Sequence, residues 1–389
     1  MRKTNAKYKK ILLGILLLAV TVFCATTAIP IVYPLFFAEK ADVSGLNGVS
    51  VADANGWYTV DNEAFGISAS GGDAVKTTLG INRAIEWAKE QGYNKIKFAA
   101  GEYAVYNDTN NLADVPTGGI IVPSDTEIDL NGAEFKLAAN FYGTYSVFGV
   151  AESENVVIKN GFVTGDADSH IYLFNPSSIF HFDGYGIWIA SSKNVTVENV
   201  TISNVTGDGI YVGANGLLIS DGGINSQNIY IRNCTITGAR RYGIHFESAI
   251  NSVAEDNKIS NVKGFWTGWG IGIDVSPASV KPIGNKFFHI FLEDIYTLKF
   301  SVDGLKILRN EISDTSGGSI CAKMGNNYSI SDNILTDSGI AIINAKNLVF
   351  NGNILRNSNV RIHGKTVTFS SLQGNLLENG SEIKYDARR

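Results

Sequence analysis

The chain has 389 residues, 44% of them hydrophobic and 18% charged, with a formal net charge of -5 at pH 7. That apolar content builds a large core and excludes a disordered chain. The acidic balance removes nucleic acid from the expected partners, because phosphate backbones are held by a basic excess, although an isolated basic groove around Arg240 and Arg241 suits an acidic glycan.

The N-terminal stretch belongs to a different physical class from the rest. Arg2, Lys3, Lys7, Lys9 and Lys10 precede a nearly unbroken apolar run from Ile11 to Ala38. The basic flank, an apolar core over Ile11 to Phe23 and small residues between Ala25 and Ala28 read as a signal peptide. About 20 apolar residues also span a bilayer with the basic flank inside, so residues 1–40 are either a cleaved signal peptide or a membrane anchor. Both readings place the remainder in the extracellular space or on the cell surface, with membrane contact only if the segment stays uncleaved. Residues 41–72 read as a linker and lead-in segment, and 73–389 as one domain. Cys24, Cys234 and Cys321 are isolated and imply no disulfide framework.

A helix is predicted over AVKTTLGINRAIEWAKEQ from Ala74, with Leu79, Ile81, Ala84, Ile85 and Ala88 at helical spacing and Asp73 as its cap. KIKFAAGEYAV follows as a first strand and turn. Self-similar segments then recur: NVVIKNGFVTG from Asn155, NVTVENVTISN from Asn194, NIYIRNCTITG from Asn228, GLKILRNEISD from Gly304, YSISDNILTDS from Tyr328 and NLVFNGNILRN from Asn347. Alternation sends Val195, Val197, Ile229 and Ile231 inward, with Thr196 and Tyr230 outward. Asparagine at each bend tolerates left-handed backbone angles and bonds to the next coil's asparagine. Asn310, Asn333, Asn353 and Asn375 stand 23, 20 and 22 residues apart, one coil of a parallel β-solenoid. Longer early intervals predict loops, the helix covers the open sheet edge of the stack, and the poorly repeating stretch 277–303 reads as a lid or a degenerate coil.

The short helix, the KIKFAAGEY strand, GGIIVPSDTEIDLNGAEF and the Asn-rich coils together resemble the pectate-lyase-like right-handed parallel β-helix superfamily over about residues 50 to 389. The resemblance implies an all-β fold, a single-stranded right-handed parallel β-helix with an N-terminal capping α-helix. The blocks GDADSHIY at Gly165, TGDGIYVG at Thr206, ARRYGIHF at Ala239 and GIGIDVSP at Gly270 look closest to a bacterial and phage-associated group of β-helix repeat proteins. Many of that group are presumed to act on polysaccharides, so a polysaccharide partner is implied. The full residue sets of polygalacturonases, classical pectate lyases and mannuronan epimerases are absent, and Ser276 stands where the group usually has a glutamate.

Aligning GIWI at Gly186, GIYV at Gly209, GIHF at Gly243 and GIDV at Gly272 stacks Trp188, Tyr211, His245 and Asp274 in one external row. Glu247 falls in the next row. GIAII at Gly339 puts Ala341 there instead, so the polar and aromatic character is local, as a site requires and a solubilising face does not. Asp208 and Asp274, two coils apart and therefore about 10 Å from one another, suit hydrolysis through an intervening water. The same cluster suits β-elimination on a uronate: Arg241 or Arg240 neutralises the carboxylate, and His245, oriented by Asp274, or Tyr242 takes the adjacent proton. The candidate catalytic residues are thus Asp208, Asp274, His245 and Arg241. Candidate substrate contacts are Arg240, Tyr242, Trp188, Tyr211 and Glu247, joined by Asp166 and His170 of the GDADSH block. No His and Cys spacing calls for a metal, no cofactor is expected, and calcium held by scattered aspartates has no support in the pattern. The alternative to an enzyme is a catalytically silent glycan-binding or surface-scaffold protein.

Overall fold

The computed structural model describes residues 51–107, 119–172, 183–214, 225–264, 269–274, 302–323, 325–364 and 366–386. The signal or anchor segment 1–40 and nearly all of 277–303 lie outside the described residues. No helix among the described residues is long and apolar enough to cross a membrane.

The described chain winds into coils of short strands that pair in parallel with the coils before and after. One coil runs through Ser226–Arg232, bends at Asn233, continues through Thr235–Thr237 and returns through Tyr242–Phe246. Val195 pairs with Ile229 and Val197 with Ile231, and on the opposite wall Ile210 pairs with Ile244. Ten strands, from Ile120–Ile121 to Ile383–Asp386, stack into one sheet, and a 21-stranded sheet, creased at the bends, closes the rest of the solenoid. The alternation behaves as period two demands. Val195, Val197, Ile229 and Ile231 are wholly buried, while Tyr230 between them is 39% exposed.

The repeated asparagines occupy two adjacent positions rather than one. The bend itself is left-handed at Asn160, Asn199, Asn233, Asp256, Arg309 and Asp332, each with φ between 53° and 61°, and glycine takes the position at Gly352 and Gly374. The residue after the bend points inside: Gly161, Val200 and Cys234 in the early coils, then Asn257, Asn310, Asn333, Asn353 and Asn375. The even spacing of Asn310, Asn333, Asn353 and Asn375 is therefore the period of an interior ladder and not of the bends, which corrects the expectation. Asn310 shows why an amide is kept in the core. Its Nδ2 donates to Asn333 Oδ1 (3.0 Å) and to the Ala254 carbonyl (2.9 Å), while its Oδ1 accepts from the Asn257 backbone N–H (3.1 Å). The bend asparagines do link coil to coil outside, as Asn194 Nδ2 to Asn155 Oδ1 (3.0 Å) and Asn228 Nδ2 to Asn194 Oδ1 (2.9 Å).

The helix, α1, spans Ala74–Glu90, and the Asp73 side chain accepts from the Lys76 N–H (3.1 Å) to cap it. Ile81, Ala84, Ile85 and Ala88 face the core as expected, but Leu79 is 60% exposed. Five residues from Ala84 and two from Ile81, it lies off their stripe, and Trp87 and the threonines at 77 and 78 share the buried side. Ile120–Ile121 is the terminal strand of the ten-stranded sheet. Asn82 meets that edge with both ends of its amide, donating to the Gly119 carbonyl (2.9 Å) and accepting from the Ile121 N–H (3.0 Å). Within the segment read as a lead-in, Trp57–Thr59 already forms a strand parallel to Lys95–Lys97.

Candidate functional site

The strands carrying the candidate residues begin at stacked glycines. A Cβ on Gly209 would lie 2.6 Å from the Gly243 carbonyl oxygen, and one on Gly243 would lie 2.6 Å from that of Gly270. Only glycine allows so close an approach of successive coils. This ladder sets the register: Gly270, not Gly272, continues Gly243, so His245 pairs with Gly272. The row accordingly reads Trp188, Tyr211, His245, Gly272, Cys321 and Ala341. Asp274, expected beside His245, is displaced two residues along the strand and pairs with Lys323. Its side chain lies outside the described residues. A second correction concerns exposure: Trp188 and Tyr211 are only 6% and 8% exposed and pack with Tyr185 and Ala190 as an apolar cluster apart from the main core, not as open plates.

Asp208 sits at the mouth of its strand and collects donors from the following coil. Arg241 grips it with both arms of its fork, Nε to Oδ1 (2.7 Å) and Nη2 to Oδ2, and the Tyr242 backbone N–H adds a third bond (3.2 Å). The Nη1 of Arg241 reaches Asp183 Oδ1 (3.1 Å), which also accepts from the Tyr185 hydroxyl (3.2 Å). Asp208 is wholly buried. Burial pushes its carboxyl up, but Arg241, and after it His245, outweigh that and hold it below the usual aspartate range. Burial equally works against the Arg241 charge, and the Asp208 carboxylate keeps it firmly protonated.

His245 completes the knot. Its Nδ1 is 3.1 Å from Asp208 Oδ2, and the 3.4 Å contact of Arg241 Nη2 to the same nitrogen is too long to compete. In the tautomer that donates from Nδ1 to this carboxylate, Nε2 carries the lone pair and faces outward from the pair. That Nε2 is buried and has no hydrogen-bond partner. Tyr242 stacks on the imidazole at 4.3 Å, Tyr211 meets it edge-on at 5.4 Å, and the Tyr211 hydroxyl donates to Glu247 Oε2. Burial first, and then the Glu247 carboxylate, push the Tyr211 hydroxyl well above the ordinary tyrosine range, so it stays a proton donor.

The structure therefore brings Asp208, Arg241, Tyr242, His245, Tyr211 and Glu247 together and, besides the displaced Asp274, leaves Asp166, His170 and Arg240 elsewhere. Asp166 Oδ2 accepts from His170 Nδ1 (2.8 Å) and from the Asn140 side chain (3.0 Å) and backbone (3.1 Å), with the Asp166 and His170 side chains fully buried. That pair braces a turn. Arg240, in the bend before the strand Tyr242–Phe246, meets different partners from Arg241 and donates from Nη1 to the Tyr172 hydroxyl (3.0 Å) with its guanidinium 4.8 Å over the ring. Asp183 was not among the expected residues; an Asp-Gly step before a Gly-Ile strand, the same step found at Asp208, was the signal available. Among the described residues no group of three or more His, Cys, Asp or Glu side chains is arranged to hold a metal ion.

Comparison with known proteins identifies the fold. The family model described as "Right handed beta helix region" matches residues 99–222 and 177–295. The chain is 30% identical over 285 residues to the SPbeta prophage-derived uncharacterized protein YorA of Bacillus subtilis (strain 168), an alignment covering 72% of this chain and 47% of that protein. The chain thus spans less than half of that relative's length. Among solved structures, PfbA, a surface adhesin of Streptococcus pneumoniae, superposes with a TM-score of 0.53 at 15% identity, covering 85% of this chain and 81% of that one. The A-module of the Azotobacter vinelandii mannuronan C-5 epimerase AlgE6 gives 0.53 at 14% identity, covering 85% and 100%. At such identities the likeness is one of fold.

Proposed function

Because the chain belongs to the right-handed β-helix family, we propose that it is an exported protein that cleaves an acidic polysaccharide by β-elimination, with His245 as the base. The observation that carries this reading is the His245 imidazole, anchored through Nδ1 to Asp208 while Nε2 is buried and unpartnered. In a uronate the carboxylate acidifies the neighbouring ring proton. Nε2 takes that proton, its C–H electrons form the ring double bond, and the glycosidic C–O bond at the next carbon breaks. The departing oxygen needs a proton, and the Tyr211 hydroxyl, kept protonated beside Glu247 and packed edge-on against His245, supplies it. Arg241 acts through Asp208, since its fork is spent on Asp208 and Asp183. This favours elimination over hydrolysis: a carboxylate held ionised by an arginine is a poor general acid. A mannuronan epimerase among the fold neighbours supports a glycan ligand, while a surface adhesin among them and the basic and apolar segment at residues 1–40 support a place outside the cytoplasm.

Mass spectrometry of products from a panel of polyuronates and neutral polysaccharides tests the reading. Unsaturated fragments carrying no added water, lost in His245→Ala and strongly reduced in Tyr211→Phe, are the expected result. Fragments each carrying one added water overturn the elimination. A second reading has its own observation: Asp208, Arg241 and Asp183 are all paired and Nε2 is enclosed, as in a structural knot of a glycan-binding scaffold. Retained glycan binding with no product at any protein concentration would favour it.

A further inference from the structure

Asparagine is a thermolabile residue, and a following glycine exposes it most, because no side chain keeps the glycine nitrogen from reaching the asparagine Cγ. The Asn-Gly steps among the described residues are Asn55-Gly56, Asn131-Gly132, Asn160-Gly161, Asn351-Gly352 and Asn379-Gly380. In all but the last, the fold holds one of the two reacting groups. The Gly56 N–H donates to the Asp53 carbonyl (2.9 Å), the Gly132 N–H to the Asn160 carbonyl (2.7 Å) and the Gly352 N–H to the Gln373 carbonyl (3.1 Å). Asn160 is fixed at both ends of its amide, Nδ2 donating to Asp129 Oδ1 (3.1 Å) and Oδ1 accepting from Asn199 Nδ2 (2.8 Å). Asn379 and Gly380 are both exposed, and among the described residues neither the Asn379 side chain nor the Gly380 N–H has a hydrogen-bond partner. A Cβ placed on Gly380 would meet nothing within 4 Å.

We infer that Asn379 is a site of spontaneous deamidation, with water as the only co-reactant. The Gly380 nitrogen loses its proton to solvent and bonds to Asn379 Cγ, the Cγ–Nδ2 bond breaks, and ammonia leaves. Water then opens the cyclic imide at either carbonyl, giving aspartate or isoaspartate. The fold accommodates these two products differently. Pairing of Thr336 with Arg356 and of Arg356 with Glu378 puts Asp337, Asn357 and Asn379 on one column of bends, left-handed at φ 52°, 48° and 54°. An aspartate already serves on that column at Asp337, whose Oδ1 accepts from Asn357 Nδ2 (2.8 Å), so aspartate at 379 keeps the bend. Isoaspartate instead routes the main chain through the former side chain and adds a methylene between Glu378 and Ser381, the ends of a turn closed by the Ser381 N–H on the Glu378 carbonyl (3.1 Å). Ser381 is also a rung to the coil before: its Oγ accepts from the Ser358 N–H (2.9 Å) and lies 3.0 Å from the Leu355 carbonyl. The longer turn displaces this rung and with it the strand Ile383–Asp386, which pairs with Val360–His363. The site is thus a chemical clock read out in the last described coil, and coils further back keep their own neighbours.

The test is peptide mapping by mass spectrometry of the full chain, sampled over weeks in mildly alkaline buffer, folded and in urea. In the folded protein, conversion at Asn379 should be several-fold faster than at Asn55, Asn131, Asn160 and Asn351, and in urea the difference should shrink. Electron-transfer fragmentation should find isoaspartate as well as aspartate at this position. Hydrogen exchange in Ile383–Asp386 should quicken in step with the isoaspartate content, and should hold constant over the same period in Asn379→Gln, whose longer side chain does not close the same ring. Conversion at Asn379 no faster than at the other steps, or aspartate formed without isoaspartate, overturns the site. Unchanged exchange in that strand once isoaspartate has accumulated overturns its effect on the coil.

Discussion

Asp208 takes hydrogen bonds from Arg241, His245 and the Tyr242 backbone with no exposure to water. Removing its charge leaves the largely buried Arg241 guanidinium with Asp183 as its remaining carboxylate partner, so Asp208→Asn should cost about 2–4 kcal/mol in urea unfolding. Replacing the pair together, Asp208→Leu with Arg241→Met, should restore a large part of that loss while leaving no product formation. The pH dependence follows from the direction of the shift. The folded carboxyl ionises at a lower pH than the unfolded one, near 3.9, so its contribution is complete above that value and is lost as pH falls through the lower folded one. An acid titration of stability should show this loss in the parent and not in Asp208→Asn. The partners of this carboxylate were only partly legible. The string GIGID offers two Gly-Ile steps, and which one continues Gly243 is decided by a carbonyl of the neighbouring coil rather than by anything local. The divergence of Arg240 and Arg241 was not legible either, since both stand in the bend before the strand Tyr242–Phe246, where alternation does not fix direction. What each arginine meets, Tyr172 or Asp208, is separated from it by 68 or 33 residues of chain.

Among the elements, the interior ladder and the capping helix each make a measurable claim. Cys234 stands at the ladder position, its N–H donating to Asn257 Oδ1 (2.9 Å) and its thiol 3.7 Å from the Val197 carbonyl. Burial pushes that thiol up to about 12, so it should resist iodoacetamide at pH 8 in the folded protein and react once the protein is unfolded. Cys234→Asn would add a rung, and a gain of up to about 1 kcal/mol in urea unfolding is expected. Asn310→Ala should do the reverse, stranding the Ala254 carbonyl and the Asn257 amide at a cost of about 2–5 kcal/mol for the two sites together. At the sheet edge, Asn82→Ala uncovers the Gly119 carbonyl and the Ile121 N–H, and light scattering should show a greater tendency to self-associate. The solenoid itself was readable because period-two alternation and a repeat length are both one-dimensional signals. The split of the asparagines between bend and interior was not, since adjacent residues such as Asn233 and Cys234, or Arg309 and Asn310, do opposite jobs in the same short string.

On the scale of the whole molecule, each coil touches little beyond its two neighbours, so stability is close to a sum of coils and interfaces. Hydrogen exchange should be slowest in the strands around residues 195–236 and fastest in the last described coil, where Leu376, Leu377 and Tyr385 are 51%, 41% and 65% exposed. A uniform protection along the stack would contradict this picture. The ladder also treats chain length with indifference: Asn257 and Asn310, 53 residues apart, join at 2.9 Å, the same distance as Asn333 and Asn353, 20 residues apart. A rung therefore registers which coil follows and not how much chain intervenes, and the cost of a longer excursion grows only slowly with its length. Such an architecture works as a mounting rail. The length of chain between two rungs can change while the rung itself keeps its geometry.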